Sequence, residues 1–225
     1  MTEFLLPKHD DAAPTAWETA FLRFESPREE LAKFRQRLLR MGAPQWPKDS
    51  AIVELFCGRG NGLRALAELD FTRLEGVDNS PRLLALCPSE MTTVLADCRA
   101  LPMESRSRDI VVVQGGLHHL ERLPEDLELT LAEAARILRP GGRFVVVEPW
   151  QTPFLSLAHA ACRSRVLRQL WPKLDAMAEV TELERVTYEQ WLAAPEAVLR
   201  CLEKHFRCER RTIGWGKLMW VGASY

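Results

Sequence analysis

Residues 51–62 read Ala-Ile-Val-Glu-Leu-Phe-Cys-Gly-Arg-Gly-Asn-Gly, and no other stretch restricts the fold so tightly. Ile52, Val53 and Leu55 have the character of a buried strand. Glu54 and the alternating glycines Gly58, Gly60 and Gly62 follow, and Asn61–Leu69 reads as a helix. Glycines in such a bend let a ligand approach the backbone, and the helix start offers it unpaired amides. A strand that runs through a glycine bend into a helix points to an α/β chain with a ligand at the bend.

The rest of the chain keeps that rhythm. Strand-like runs recur at Leu74–Val77, Thr93–Ala96, Ile110–Val113 and Phe144–Val147, with helical patterns at Pro81–Leu86 and Glu125–Leu138 between them. Such alternation predicts a mainly parallel sheet with helices on both faces. Upstream, Ser26-Pro27-Arg28-Glu29 is a capping box with proline at N1, and Gly42 closes the helix it opens. Arg139-Pro140-Gly141-Gly142 predicts a helix stop and turn before the fifth strand. Residues 151–204 read as mostly helical, and Phe206–Ile213 with Leu218–Gly222 around Gly214-Trp215-Gly216 as a hairpin. The expected organisation is a helical segment over residues 1–50 packed on the core, loosely held to about Ala13, and a ligand-binding core over 51–150. A helical insert over 151–204 caps the acceptor side, and the hairpin over 205–225 completes a seven-stranded sheet.

Charge narrows the partners. Thirty basic residues stand against 31 acidic ones, so the surplus expected of a non-specific nucleic-acid binder is missing. Arg163, Arg165 and Arg168 form a local basic group that also reads as a solvated helix face. The six cysteines show no Cys-x-x-Cys pair and no histidine spacing suited to zinc, so no metal is expected. With no signal-peptide pattern and no apolar run of about 18 residues, the expected location is the cytoplasm, with no membrane partner.

Ligands of open α/β sheets sit beyond the carboxyl ends of the strands. Four such ends carry polar candidates: Glu54 with Phe56, Cys57, Gly58 and Gly60; Asp78 with Asn79; Asp97 with Cys98; and Gln114 with Gly115, then His118 and His119. Asp78 is placed to accept ribose hydroxyls and Asp97 an adenine amino group. Singly, either acid reads equally well as a solvated strand end. Dinucleotide enzymes share the strand, glycine turn and later acid, but their fingerprint is Gly-x-Gly-x-x-Gly around a pyrophosphate. Here Gly58-x-Gly60-x-Gly62 follows Glu54, which would repel a pyrophosphate and suit an ammonium group.

These segments together resemble the class I S-adenosylmethionine-dependent methyltransferases, and most of all the small-molecule type 11 methyltransferase-domain group. Glu54–Gly60 resembles motif I, Gly76-Val77-Asp78 motif II, Ala96-Asp97 the adenine-contacting motif and Asp109–Val113 the fourth motif. Leu138–Arg143 resembles the turn before strand five. The likeness spans roughly residues 50–150. Phe56 departs from it, standing where the family commonly has its first motif I glycine. The wording Leu-Phe-Cys-Gly-x-Gly-Asn also resembles RNA 5-methyluridine methyltransferases, but their Asp-Pro-Pro motif and nucleophilic cysteine are missing. So is the Asn/Asp-Pro-Pro-Tyr of amino-methyltransferases, at Gln114-Gly115-Gly116.

The resemblance implies a Rossmann-like fold with an antiparallel last strand. It implies S-adenosyl-L-methionine as cofactor, S-adenosyl-L-homocysteine as product and methyl transfer to a small molecule, oxygen preferred over nitrogen or carbon. His119, with His118 beside it, is the candidate base; either could instead pack on the cofactor or bond backbone. Trp150, Phe154, Trp171, Tyr188 and Trp191 suggest a partly apolar or aromatic acceptor, though such residues also serve as ordinary core. A fold relative with other chemistry, a non-catalytic scaffold and an RNA methyltransferase are the rival readings.

Overall fold

The computed structural model describes residues 15–225. The expectation for the stretch to Ala13 falls outside the described residues. Five parallel strands spread in both directions from β1 (Ala51–Leu55): β2 (Arg73–Asp78) and β3 (Thr92–Leu95) on one side, β4 (Arg108–Gln114) and β5 (Leu138–Pro149) on the other. β6 (Phe206–Gly214) and β7 (Lys217–Ser224) form the terminal hairpin, with β7 antiparallel to β5. The order is β3-β2-β1-β4-β5-β7-β6. The order in which successive strands are added reverses at β1 and β4, which opens a crevice at their carboxyl ends.

Alternation along the central strands divides the core into two. Ile52, Ile110, Val112, Val145 and Val147 pack with Leu38 of α2 (Pro27–Arg40) and with Ala65 and Leu66 of α3 (Asn61–Ala67). Val53, Val111, Val113, Phe144 and Val146 pack on the other face with Leu127, Leu131 and Ala134 of α5 (Glu125–Ile137) and with Val198 and Leu202 of α10 (Pro195–His205). A strand apolar at every position is what burial on both faces requires. The capping box of α2 forms as the sequence predicts: Glu29 N–H donates to Ser26 Oγ at 3.3 Å, and Ser26 N–H to the Glu29 carboxylate at 3.0 Å.

Two elements differ from expectation. β5 begins at Leu138, not after the glycines: β4 pairs Arg108 with Leu138 and then Ile110 with Arg143, so residues 139–142 bulge from the strand, and Gly141 takes φ +75° there. A helix not singled out within the expected helical segment, α1 (Ala16–Phe24), precedes α2, opened by a Thr15–Glu18 capping box. The insert forms α6 (Pro153–Cys162), α7 (Arg165–Leu170), α8 (Pro172–Leu183) and α9 (Arg185–Ala193), which run into α10; the short α4 (Pro81–Leu84) connects β2 to β3. The insert is pinned at the end of β5, where the fully buried Trp191 donates its indole N–H to Pro149 O at 2.8 Å. Among the described residues no helix is long and apolar enough to cross a membrane.

Candidate active site

The glycine bend is tied to the neighbouring strand end. Gly58 N–H donates to Asp78 Oδ2 at 2.8 Å, Ser80 N–H donates to Asp78 Oδ1 at 2.9 Å, and Cys57 N–H donates to Val77 O at 3.1 Å. Asp78 is therefore hydrogen-bonded to the bend and keeps lone pairs free for further donors. Gly58 and Gly60 take φ +53° and +79°, and a Cβ on Gly58 would meet nothing within 4 Å. Phe56 adopts φ +57° without being glycine. The family's glycine at this position thus has a backbone reason, and Phe56 holds a conformation costing about 1–2 kcal/mol. Its ring lies against Gly116, where a Cβ would come within 2.3 Å of it.

Beneath the bend, Glu54 is 2% exposed and its Oε2 has no partner. Burial, reinforced by the Glu30 carboxylate, pushes its carboxyl well above the usual carboxylate range. Both polar atoms of the Gln114 amide are likewise buried without partners. Buried polar groups are normally satisfied, so the strand ends hold unused hydrogen-bonding capacity beside an acid that a cation would favour. This pocket fits the cationic, phosphate-free end of an adenosyl sulfonium compound. Asp97 is exposed and held by Arg99 through a bidentate contact, which lowers its carboxyl; Cys98 Sγ lies 3.5 Å from Thr130 Oγ1. Asn79 is exposed, and Gly115 takes φ +86° at the end of β4. All the predicted cofactor residues thus lie at the carboxyl ends of β1 to β4.

Past Gly115 the chain forms a 3-10 turn over Leu117–His119, and a second cluster begins. Glu148, fully buried at the end of β5, accepts from Gly116 N–H and Leu117 N–H, both at 2.8 Å, and its Oε2 lies 2.7 Å from His118 Nδ1. His118 Nε2 lies 3.2 Å from Glu184 Oε2, and Trp17 of α1 donates to Glu184 Oε1 at 2.8 Å. Burial alone would lower His118, but the two carboxylates outweigh it and raise its pKa to about 9. His119 goes the other way, to about 4, through burial and the charge on His118. Its side chain is 37% exposed, and its Nδ1 lies 3.5 Å from Glu184 Oε2.

The pair therefore divides into an imidazolium clamped between carboxylates and a neutral imidazole at the surface of the site. The ligand atoms of His118, His119 and Glu184 come within 4.8 Å of one another, but both nitrogens of His118 are already engaged by carboxylates. Edge-on aromatic contacts flank the pair: Trp17 with His119 at 6.1 Å and Tyr188 with His118 at 5.9 Å. Of the aromatics singled out in the insert, Trp150 and Trp191 are core, Phe154 and Trp171 are exposed, and Tyr188 meets the histidines.

Residues 53–146 match the methyltransferase-domain family of type 11. A ubiquinone/menaquinone biosynthesis C-methyltransferase, UbiE, of Paracoccus denitrificans is 27% identical over 210 residues, covering 92% of this chain and 75% of that protein. Residues 53–146 are thus an S-adenosylmethionine-dependent methyltransferase domain of the type 11 group. The fold of this methyltransferase is that of the PH0226 protein from Pyrococcus horikoshii OT3 (TM-score 0.69, 17% identity, 95% of this chain and all of that one). It is also that of geranyl diphosphate C-methyltransferase from Streptomyces coelicolor A3(2), solved with S-adenosyl-L-homocysteine (TM-score 0.61, 14% identity, 88% and 78% covered).

Several contributors to the methyltransferase site escaped the sequence reading. Glu30 of α2 accepts from Arg59 at 2.7 Å and from Asn61 Nδ2 at 2.6 Å, bracing the bend from outside the core. Glu184, at the joint between α8 and α9, and Trp17 of α1 come from far along the chain in either direction. Trp17 carried a local sign, the Thr15–Glu18 capping box that announces its helix. Glu184 carried none.

Proposed function

We propose that this methyltransferase alkylates a small, partly apolar acceptor held between the strand ends and the helices of the insert. Residues 51–150 bind the cofactor, residues 1–50 and 151–204 enclose the acceptor, and the hairpin over 205–225 extends the sheet. The observation that carries this reading is the adjacency of two unlike clusters: the buried Glu54 Oε2 and Gln114 amide, which keep unused hydrogen-bonding capacity, on one side, and the His118–Glu148–Glu184 triad with neutral His119 on the other. In this reading Glu54 and Gln114 receive the amino-acid end of the cofactor, Asp78 its ribose and Asp97 with Cys98 its adenine. Phe56, Cys57, Gly58, Gly60, Asn79 and Gly115 shape the cradle.

S-adenosylmethionine supplies an already activated methyl on a sulfonium. The chain's own work is alignment, which can contribute about 7–11 kcal/mol to lowering a barrier. His119 accepts the acceptor's proton, a role worth roughly 10²–10⁴-fold. His118, tied by both nitrogens, holds Glu184 and the 3-10 turn in place. Oxygen remains the acceptor atom a histidine base favours. The relatives named as C-methyltransferases of ubiquinone and menaquinone biosynthesis support carbon instead. A phenol or enol reconciles the two, because removing its proton activates both oxygen and the adjacent carbon. The cytoplasmic placement stays part of this proposal and rests on the cysteine pattern.

The test is incubation of the protein with trideuteromethyl-labelled cofactor and fractionated cell extract, followed by mass spectrometry. Label in small, chloroform-soluble phenolic compounds is expected; label confined to RNA or protein would overturn the proposal. Two variants should separate the clusters. Asp78→Ala is expected to weaken S-adenosyl-L-homocysteine binding about 10–100-fold, since charge-assisted hydrogen bonds contribute about 1.5–3 kcal/mol. His119→Ala should leave that affinity nearly unchanged in calorimetry while slowing turnover. Equal affinity in Asp78→Ala, or full turnover in His119→Ala, would remove the corresponding role.

A further inference from the structure

The insert presents an apolar surface to solvent. On α6, Phe154 and Leu157 are 48% and 71% exposed; on and after α7, Val166, Leu167, Leu170 and Trp171 are 64%, 45%, 77% and 62% exposed. Helical spacing of three and four residues sets these side chains in rows. Trp215, at the tip of the hairpin and 79% exposed, joins them through an edge contact with Phe154 at 5.2 Å. Single exposed apolar residues are ordinary, but seven on two consecutive helices, their junction and the hairpin tip that touches the first helix mark an interaction surface.

Charge identifies the partner. From Pro149 to Leu174 the chain has no acidic residue and four basic ones, Arg163, Arg165, Arg168 and Lys173. Arg168 pairs with Asp175 and Lys173 with Glu29. Arg163 and Arg165 have no ion pair among the described residues. Exposed leucine, phenylalanine and tryptophan interleaved with arginine is the composition of a helix that lies in a membrane interface without crossing it. We propose that α6, α7 and the hairpin tip dock this enzyme on an anionic lipid bilayer. A second protein copy would meet the same arginines with its own, so the charge pattern favours the bilayer.

The surface also communicates with the site. His159 of α6 lies 3.3 Å from Tyr188 Oη, and Tyr188 packs edge-on against His118. Gly216, beside Trp215, accepts from Trp150 N–H at 2.9 Å at the carboxyl end of β5. Docking there would place the acceptor side of the site next to the lipid, where an apolar acceptor is concentrated. This deepens the proposed function, yet vesicle binding is measured without acceptor or cofactor, so either idea can fail alone.

The experiment is flotation of the full chain with phosphatidylcholine vesicles, with and without phosphatidylglycerol. Binding is expected to the anionic vesicles, to fall as salt screens the arginines, and to be weak on phosphatidylcholine alone. Leu170→Ser with Trp171→Ser should abolish flotation, and Arg163→Ser and Arg165→Ser should each lower it about five-fold. Each variant should retain the parental affinity for S-adenosyl-L-homocysteine, which shows that the fold is intact. Flotation that ignores these substitutions would overturn the proposal. So would a concentration-dependent dimer, abolished by the same substitutions, in a protein that leaves vesicles unbound.

Discussion

Glu148→Leu is expected to lower the stability of the protein by about 3–5 kcal/mol, the usual effect of deleting one partner from a buried ion pair. The carboxylate is fully buried and takes three hydrogens: two backbone amides at 2.8 Å and His118 Nδ1 at 2.7 Å. Leucine fills a similar volume but leaves all three donors buried and unanswered, each a loss of about 1–3 kcal/mol when no water can enter. For a chain of this size, that loss lowers the melting temperature by roughly 6–20 °C. Glu148→Gln should behave differently. Its carbonyl oxygen still serves the two amides, so most of the loss is confined to His118. Thermal or urea unfolding of the two variants distinguishes them. A leucine variant within about 1 kcal/mol of the parent would mean that the carboxylate does not hold the 3-10 turn.

Glu148 also shows where sequence reasoning stops. Its place at a strand end follows from the apolar run before it, just as Glu54, Asp78, Asp97 and Gln114 follow from the ends of their own strands. These positions are local properties: a strand, a glycine bend and a helix start are each decided within about ten residues. The mainly parallel sheet and the terminal hairpin were legible for the same reason, whereas the reversed direction of β7 came from the family resemblance. What Glu148 binds is not local. His118 lies 30 residues upstream and Glu184 36 residues downstream, and they meet only because Trp191 fixes the insert to Pro149 and α1 brings Trp17 to the same carboxylate. A histidine pair after the fourth strand therefore suggested a base. The opposite charge states of the two rings depend on helices whose packing no periodicity specifies. The bulge at residues 139–142 was hidden by its own chemistry, since Pro-Gly-Gly is as natural in a turn as in a strand that loops out and resumes.

Gly62→Ala is expected to cost the protein its cofactor while sparing its fold. Gly62 is the second residue of α3, where helix propensity alone would favour alanine by about 1 kcal/mol. A Cβ there, however, would lie 1.8 Å from Glu54 Oε1 and 2.3 Å from the carboxylate carbon. Glu54 can swing, but it is 2% exposed, so it moves only into the space at the strand ends that the cofactor needs. Burial already pushes this carboxyl well above the usual range, so burying the acid does not favour the folded state. Displacing the acid should therefore have little effect on melting. Affinity for S-adenosylmethionine should fall about 100-fold, equivalent to about 2.7 kcal/mol. Adding Glu54→Ala to Gly62→Ala removes both the clash and the unpartnered carboxylate. The double variant should melt at or above the parent while binding remains lost. Parental affinity in Gly62→Ala would show that the carboxylate is not part of the cofactor pocket. Recovered binding in the double variant would show that the acid only obstructs that pocket, and the selectivity for a cationic nucleoside would then have to come from elsewhere at the strand ends.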